Sequence, residues 1–291
     1  MSEDAIVTVI VPTFNNRVEI ELYLRSMGCC TSRPYRVIVQ DNGSTDGTVE
    51  YLKQSGQVDL ILQSTINDID NVEGRAYDDA IRYHVSTPFF LVCHSDIIFL
   101  ESDWVEEILS AAGSDEMNVL GGTLFSSSCT GKWILGPWLS PWYAWGRTDA
   151  FKRLALTWRR RFPEWCAEHR SEILTYFDRD LIAAHPGVPL FWEHGGFLTA
   201  QVDRHGCKIV DRPQRKTFHI GDLTGSVVKA ANYPDEADAP RRLARSKAIK
   251  QVISDSLERT YASETGFLKA CRNVVSFAME RDLPQLKAFR P

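Results

Sequence analysis

No hydrophobic run in this chain approaches the roughly 18 residues that a membrane-spanning helix requires. The longest apolar stretches, Ile6 to Pro12 and Pro88 to Cys93, are far shorter. No Cys-x-x-Cys pair occurs, and the seven cysteines are odd in number and irregularly spaced. Reduced thiols in a cytoplasmic protein are therefore expected. A basic excess is missing as well. Lys and Arg number 33 against 38 Asp and Glu, a formal charge of −5, which argues against a sequence-independent nucleic-acid binder. The N-terminal Met-Ser-Glu-Asp is acidic and leads straight into an apolar segment, unlike a signal peptide. Internal repeats and low-complexity tracts are absent. What remains is a globular composition, 44% hydrophobic and 24% charged, over 291 residues. That is enough for one large α/β domain or two small ones.

The first hundred residues alternate between two periodicities. Ala5 to Val11 is rich in β-branched residues and suits a buried parallel strand. Asn16 to Met27 reads as a helix, with Val18, Leu22 and Leu24 interleaved with charge. Tyr35 to Gln40 is a second strand stopped by Asp41-Asn42-Gly43-Ser44, and Ser44 or Thr45 is expected to cap a helix from Asp46 to Lys53. Strands at Leu60 to Gln63 and Phe89 to Cys93 flank a helix from Gly74 to His84. This order predicts βαβ crossovers and a mostly parallel sheet. Ligands of such sheets bind at the carboxyl ends of the strands. Pro12–Asn16, Asp41–Asp46 and His94–Asp96 should therefore meet at one edge.

The middle of the chain is aromatic, with Trp133, Trp138, Trp142, Trp145, Trp158 and Trp165 punctuated by Pro137 and Pro141. Arg159-Arg160-Arg161 reads as a solvated helix face, and Asp68, Asp70, Asp78 and Asp79 as solvated charges. Phe197 to Val210 reads as a helix ending at Gly206 and a strand from Lys208. From Asp235 the pattern is helical and charged, with Arg241, Arg242, Arg245, Lys247 and Lys250 along it.

Val9-Ile10-Val11-Pro12-Thr13-Phe14-Asn15, in register with Val39-Gln40-Asp41-Asn42-Gly43-Ser44-Thr45-Asp46-Gly47-Thr48, resembles the family 2 glycosyltransferases of the GT-A fold. His94-Ser95-Asp96 falls where that family carries its Asp-x-Asp motif. The resemblance implies a Rossmann-like nucleotide-binding sheet flanked by helices in a domain over 1–230. Within it, 1–110 would hold the nucleotide sugar and 111–230 the acceptor, with a helical extension over 231–291. It implies inverting transfer from a nucleotide-diphosphate sugar, with UDP as the commonest nucleotide, to a glycan, lipid-linked or small-molecule acceptor.

The resemblance also suggests site residues. Asp41 would accept the imide N–H of the base, with Pro12, Thr13, Asn15 and Asn42 around base and ribose. Asp96 would hold Mn²⁺ or Mg²⁺, joined by His219 if that histidine is a ligand and not a structural group. His94 replaces the first aspartate of the motif and, with Ser95, would touch ribose or phosphate, or favour Mn²⁺ through its imidazole. Arg75 is either near the diphosphate or on the surface.

Glu193-His194 occupies the place of the family's acidic pair, which makes Glu193 the general-base candidate and His194 a second one, with Asp178 and Asp180 in reserve. Trp138, Trp142 and Trp145 would stack an acceptor sugar or fill the core. The basic C-terminal helices suggest a peripheral membrane contact or a homodimer. Two other classes share parts of the pattern. A sugar-nucleotide nucleotidyltransferase would need a Gly-rich basic loop after the first strand, where Pro12-Thr13-Phe14-Asn15-Asn16 has no glycine. A non-catalytic nucleotide-sugar scaffold is suggested by His94 and His194 standing where acids are expected.

Overall fold

The computed structural model describes residues 4–64, 72–212, 217–220, 239–259, 261 and 263–286. A seven-stranded sheet lies at its centre, in the order β11-β6-β9-β4-β1-β2-β3. Its strands are β1 (Val7–Thr13), β2 (Tyr35–Asp41), β3 (Leu60–Gln63), β4 (Phe89–Cys93), β6 (Asn118–Phe125), β9 (Trp138–Arg147) and β11 (Lys208–Asp211). All neighbours are parallel except β9, which runs antiparallel to both β4 and β6. The expected α/β layout with a mostly parallel sheet is thus present. β1 is buried along nearly its whole length, which is why its sequence is a continuous β-branched run. Pro12 lies inside β1, opposite Gln40, so the strand continues two residues beyond its expected end.

Helices α1 (Arg17–Cys29), α2 (Thr48–Ser55), α3 (Val72–Tyr83) and α4 (Trp104–Ala112) cover the sheet. One core joins α1 and α4 to one sheet face, and α3 packs into a second core on the other. Helix α2 begins at Thr48, not Asp46. Gly47 precedes it in the left-handed region, and Asp46 Oδ1, not Ser44 or Thr45, accepts from the Thr48 amide at 3.1 Å. Asp78 is buried, contrary to its expected solvation. It accepts from Thr157 Oγ1 at 2.5 Å and the Trp158 amide at 2.9 Å, which fastens the segment after α5 (Thr148–Arg153) to α3. Burial raises its carboxyl pKa. Asp68 and Asp70 lie outside the described residues.

The Arg159–Arg161 segment is extended and not helical. The Arg161 backbone bridges Trp192, and its guanidinium lies over the Phe197 and Trp165 rings at 4.3 and 5.2 Å. A small sheet of β7 (Ser128–Cys129), β8 (Ile134–Leu135) and β10 (Leu190–Phe191) accompanies α6 (Pro163–Glu168), α7 (Arg170–Ile173) and α8 (Arg179–Ala184). Helix α9 (Gly196–Arg204) follows, leading to β11. A two-stranded ribbon pairs β5 (Ile97–Phe99) with β12 (Thr217–His219).

Two C-terminal helices, Ala239–Leu257 and Glu264–Leu286, pack on α1 and this ribbon through Leu22, Ile98, Ile220, Ile249, Ile253 and Phe267. Arg245 donates to the Ile220 carbonyl at 3.0 Å, and Lys250 pairs with buried Glu19 at 2.7 Å. These two basic side chains of the tail therefore face the protein. The side chains of Arg241 and Arg242 lie outside the description. None of the seven cysteines is in a disulfide, and no helix among the described residues is long and apolar enough to cross a membrane.

Candidate active site

Because β1 lies between β2 and β4, parallel to both, the carboxyl ends of the three strands adjoin. Thr13 pairs with Asp41 in register, and His94 follows directly after β4. A hydrogen-bond chain ties the tips together. Thr13 Oγ1 donates to Asn16 Oδ1, and Asn16 Nδ2 donates to Ser95 Oγ. All three side chains are buried, and they fix the spacing between the β1 and β4 ends.

Asp41 is fully buried. Its Oδ2 accepts from the Gly43 and Ser44 amides, each at 3.1 Å, closing the turn. Its Oδ1 has no hydrogen-bond partner among the described residues. One carboxylate oxygen thus builds the loop, and the other is a buried acceptor without a partner among the described residues, a state that costs about 1–3 kcal/mol. The neighbouring expected donor residues also take part in hydrogen bonds that shape these loops. Asn15, in the left-handed region, accepts from the Thr45 amide at 2.7 Å, and Asn42 accepts from Ser64 Oγ at 3.1 Å. Arg75 is exposed and pairs with Asp79 at 3.5 Å, about 200° around α3 from Glu73.

At the β4 end, His94, Asp96 and His219 form a cluster whose ligand atoms all lie within 4.8 Å of one another. His219 Nε2 is 3.0 Å from Asp96 Oδ1 and 3.3 Å from His94 Nδ1. The β5–β12 ribbon delivers His219: it lies opposite Ile97, and the next amide, of Ile220, donates to the Asp96 carbonyl at 3.0 Å. Ligands on adjacent positions of one ion, with bonds of roughly 2.1–2.3 Å, sit about 3 Å apart, so the spacing fits a divalent cation. Two imidazoles and one carboxylate form a donor set suited to a transition metal. Trp142 stacks on the His219 ring at 4.4 Å, and Trp138, itself stacked on Phe125 at 4.5 Å, meets Trp142 edge-on. Trp145 is core, not an acceptor platform. It is 3% exposed, and its indole fills the place where a Cβ on Gly121 would stand.

Sequence reasoning missed Glu73, in the first turn of α3. Its Oε1 is 2.6 Å from His94 Nε2 and accepts from the Tyr77 hydroxyl at 3.0 Å; its Oε2 is 3.9 Å from His194 Nε2. Burial alone would raise this carboxyl, but the charge and hydrogen bond of His94, helped by His194 and Arg160, hold it well below the usual carboxylate range. Burial likewise opposes protonation of His94, yet Glu73 outweighs it and raises the imidazole pKa. A signal for Glu73 existed, because the helix of a βαβ unit starts at the carboxyl edge of the sheet.

The Glu193-His194 pair closes the other side. His194 is buried, with Nδ1 donating to the Trp158 carbonyl at 3.2 Å. Burial pushes its pKa down to about 4, so the ring is neutral near pH 7. Glu193 is part-exposed and pairs with Arg160 at 2.6 Å. Asp178 is exposed and caps α8, accepting from the Asp180 and Leu181 amides; Asp180 lies exposed in its first turn. Gly195 takes φ +76°, and a Cβ there would stand 2.1 Å from the Leu139 carbonyl oxygen. Gly195→Ala should therefore cost about 2–3 kcal/mol or more, read as a lowered urea midpoint. An unchanged midpoint would show that the turn relaxes freely.

With this geometry in hand, residues 8–174 match the family described as glycosyl transferase family 2, while Glu193, His194 and His219 lie beyond the matched segment. No curated protein matches the chain. Among solved structures the chain is similar to TarS of S. aureus, at 19% identity and a TM-score of 0.39, over 52% of this chain and 30% of that one. It is also similar to the mannosyltransferase PcManGT of Pyrobaculum calidifontis, solved with GDP-Man and Mn²⁺, at 15% identity and a TM-score of 0.49, over 99% of this chain and 75% of that one. A third is glucosyl-3-phosphoglycerate synthase of Mycobacterium tuberculosis, at 16% identity and a TM-score of 0.39, over 52% and 59%. This chain thus spans less than a third of TarS. With more than half of its 291 residues matched, the chain belongs to glycosyl transferase family 2.

Proposed function

We propose that the chain moves a sugar from a nucleotide-diphosphate sugar, with a UDP-sugar as the first donor to test, to an acceptor hydroxyl with inversion at the anomeric carbon. One observation carries the reading. A buried aspartate with an unpaired oxygen and a His-Asp-His cluster lie at the same edge of one sheet, tied together through Thr13, Asn16 and Ser95. Asp41 Oδ1 accepts the imide N–H of the base. His94, Asp96 and His219 are the residues to hold a divalent cation. When bound, that cation supplies charge neutralisation at the leaving diphosphate. Glu193, held by Arg160, takes the proton from the acceptor hydroxyl, and His194 stays neutral beside it. Trp142 and Trp138 offer apolar faces to an acceptor sugar next to the cluster.

The two imidazoles set the metal preference, since Mg²⁺ favours an all-oxygen shell. Incubation with a panel of nucleotide sugars should release nucleoside diphosphate faster with Mn²⁺ than with Mg²⁺, by on the order of tenfold, and a chelator should stop it. Release that ignores the chelator would count against the cation. Donor binding with no release from any sugar would instead favour a scaffold.

A further inference from the structure

We infer that Glu73 is a positioning residue for the metal centre: its carboxylate accepts the Nε2–H of His94 and so turns the His94 Nδ1 lone pair toward Asp96 and His219. The inference rests on the metal reading above and adds to it a residue outside the ligand cluster. A carboxylate only accepts, so at 2.6 Å from Glu73 Oε1 the hydrogen of a neutral His94 ring sits on Nε2. Nδ1 then carries the lone pair, and it is this nitrogen that lies 3.3 Å from His219 Nε2 inside the cluster.

Glu73 is itself held in place. The buried Tyr77 hydroxyl, one turn along α3, donates to the same oxygen at 3.0 Å. Gly74 lets the helix start pack closely, because a Cβ there would stand 2.7 Å from the Trp158 carbonyl oxygen. The carboxylate also places a negative charge one imidazole ring away from the cation, at the motif position where histidine replaces aspartate. Histidine ligands that donate their second nitrogen to a carboxylate are better oriented and more basic, and losing the carboxylate weakens metal binding by about 10–100-fold.

The test is calorimetric Mn²⁺ binding to the full chain without donor, for the wild type, Glu73→Gln, Glu73→Asp and Asp96→Ala. The isosteric Glu73→Gln should weaken Mn²⁺ binding by about 10–100-fold, and Glu73→Asp should recover part of the loss. ¹⁵N correlation spectra of the metal-free protein, taken on the neutral-ring form across a pH series, should show His94 protonated at Nε2 in the wild type. In Glu73→Gln they should show a mixture of tautomers. A Glu73→Gln protein that binds Mn²⁺ like the wild type, while Asp96→Ala has lost it, overturns the role of Glu73 and leaves the metal site standing. If Asp96→Ala also keeps its Mn²⁺, the metal site lies elsewhere and the inference falls with it.

Discussion

Asp96→Ala should abolish metal-dependent donor binding. Asp96 is the one carboxylate of the cluster, 7% exposed and 3.0 Å from His219. Without it, two imidazoles remain, and the cluster has lost its one carboxylate ligand for a divalent cation. The backbone should survive the substitution, because the Asp96 carbonyl and the β5–β12 pairing are independent of the side chain. Asp41 is on β2, on the other side of β1 from β4, so its surroundings should be untouched. Calorimetric titration of a nucleotide sugar with and without Mn²⁺ separates the two contributions. The wild type should bind more tightly with Mn²⁺, whereas the variant should show one weak affinity in both buffers. If Mn²⁺ still tightened donor binding in the variant, Asp96 would be removed from the site.

Glu193→Gln should lower kcat by on the order of 10²–10⁴-fold while donor affinity is unchanged. Glutamine keeps the size of the side chain and an acceptor oxygen for Arg160, so the loop before α9 keeps its shape. What is lost is the ability to take a proton from the attacking hydroxyl. An effect confined to kcat identifies an interaction made in the transition state, and a rise in KM alone would indicate ground-state binding. Normal turnover by this variant would place the base at another residue.

Much of the sheet was legible in the sequence. β3 and β4 have their expected bounds because each is a short apolar run between turn-forming residues. The convergence of the three strand ends followed from βαβ order alone. β9 was not legible. Its tryptophans read equally as an acceptor surface or as core, and a proline within the run is unusual for a central strand. Pro141 is tolerated because the ladders to β4 and β6 have no registered pair at that position, next to the irregularity between Gly122 and Leu124. Arg160 read as surface charge because a triplet of arginines usually is; its pairing with Glu193 depends on a contact across 33 positions of chain that no local pattern encodes. Glu73 was hidden by its own neighbourhood. Glu-Gly-Arg drew attention to the arginine, and only the direction of α3 puts the glutamate at the sheet edge.

The ribbon that delivers His219 has a consequence for where the working unit ends. Ile220 lies in the same apolar cluster as Ile249, Ile253 and Phe267 of the tail, and Arg245 grips its carbonyl. The stretch by which the family is recognised stops at 174, short of the third arm of the cluster and of the helices that buttress it. A fragment trimmed to that recognisable stretch would keep Asp41, His94 and Asp96 but lose His219 and the helices that hold its ribbon.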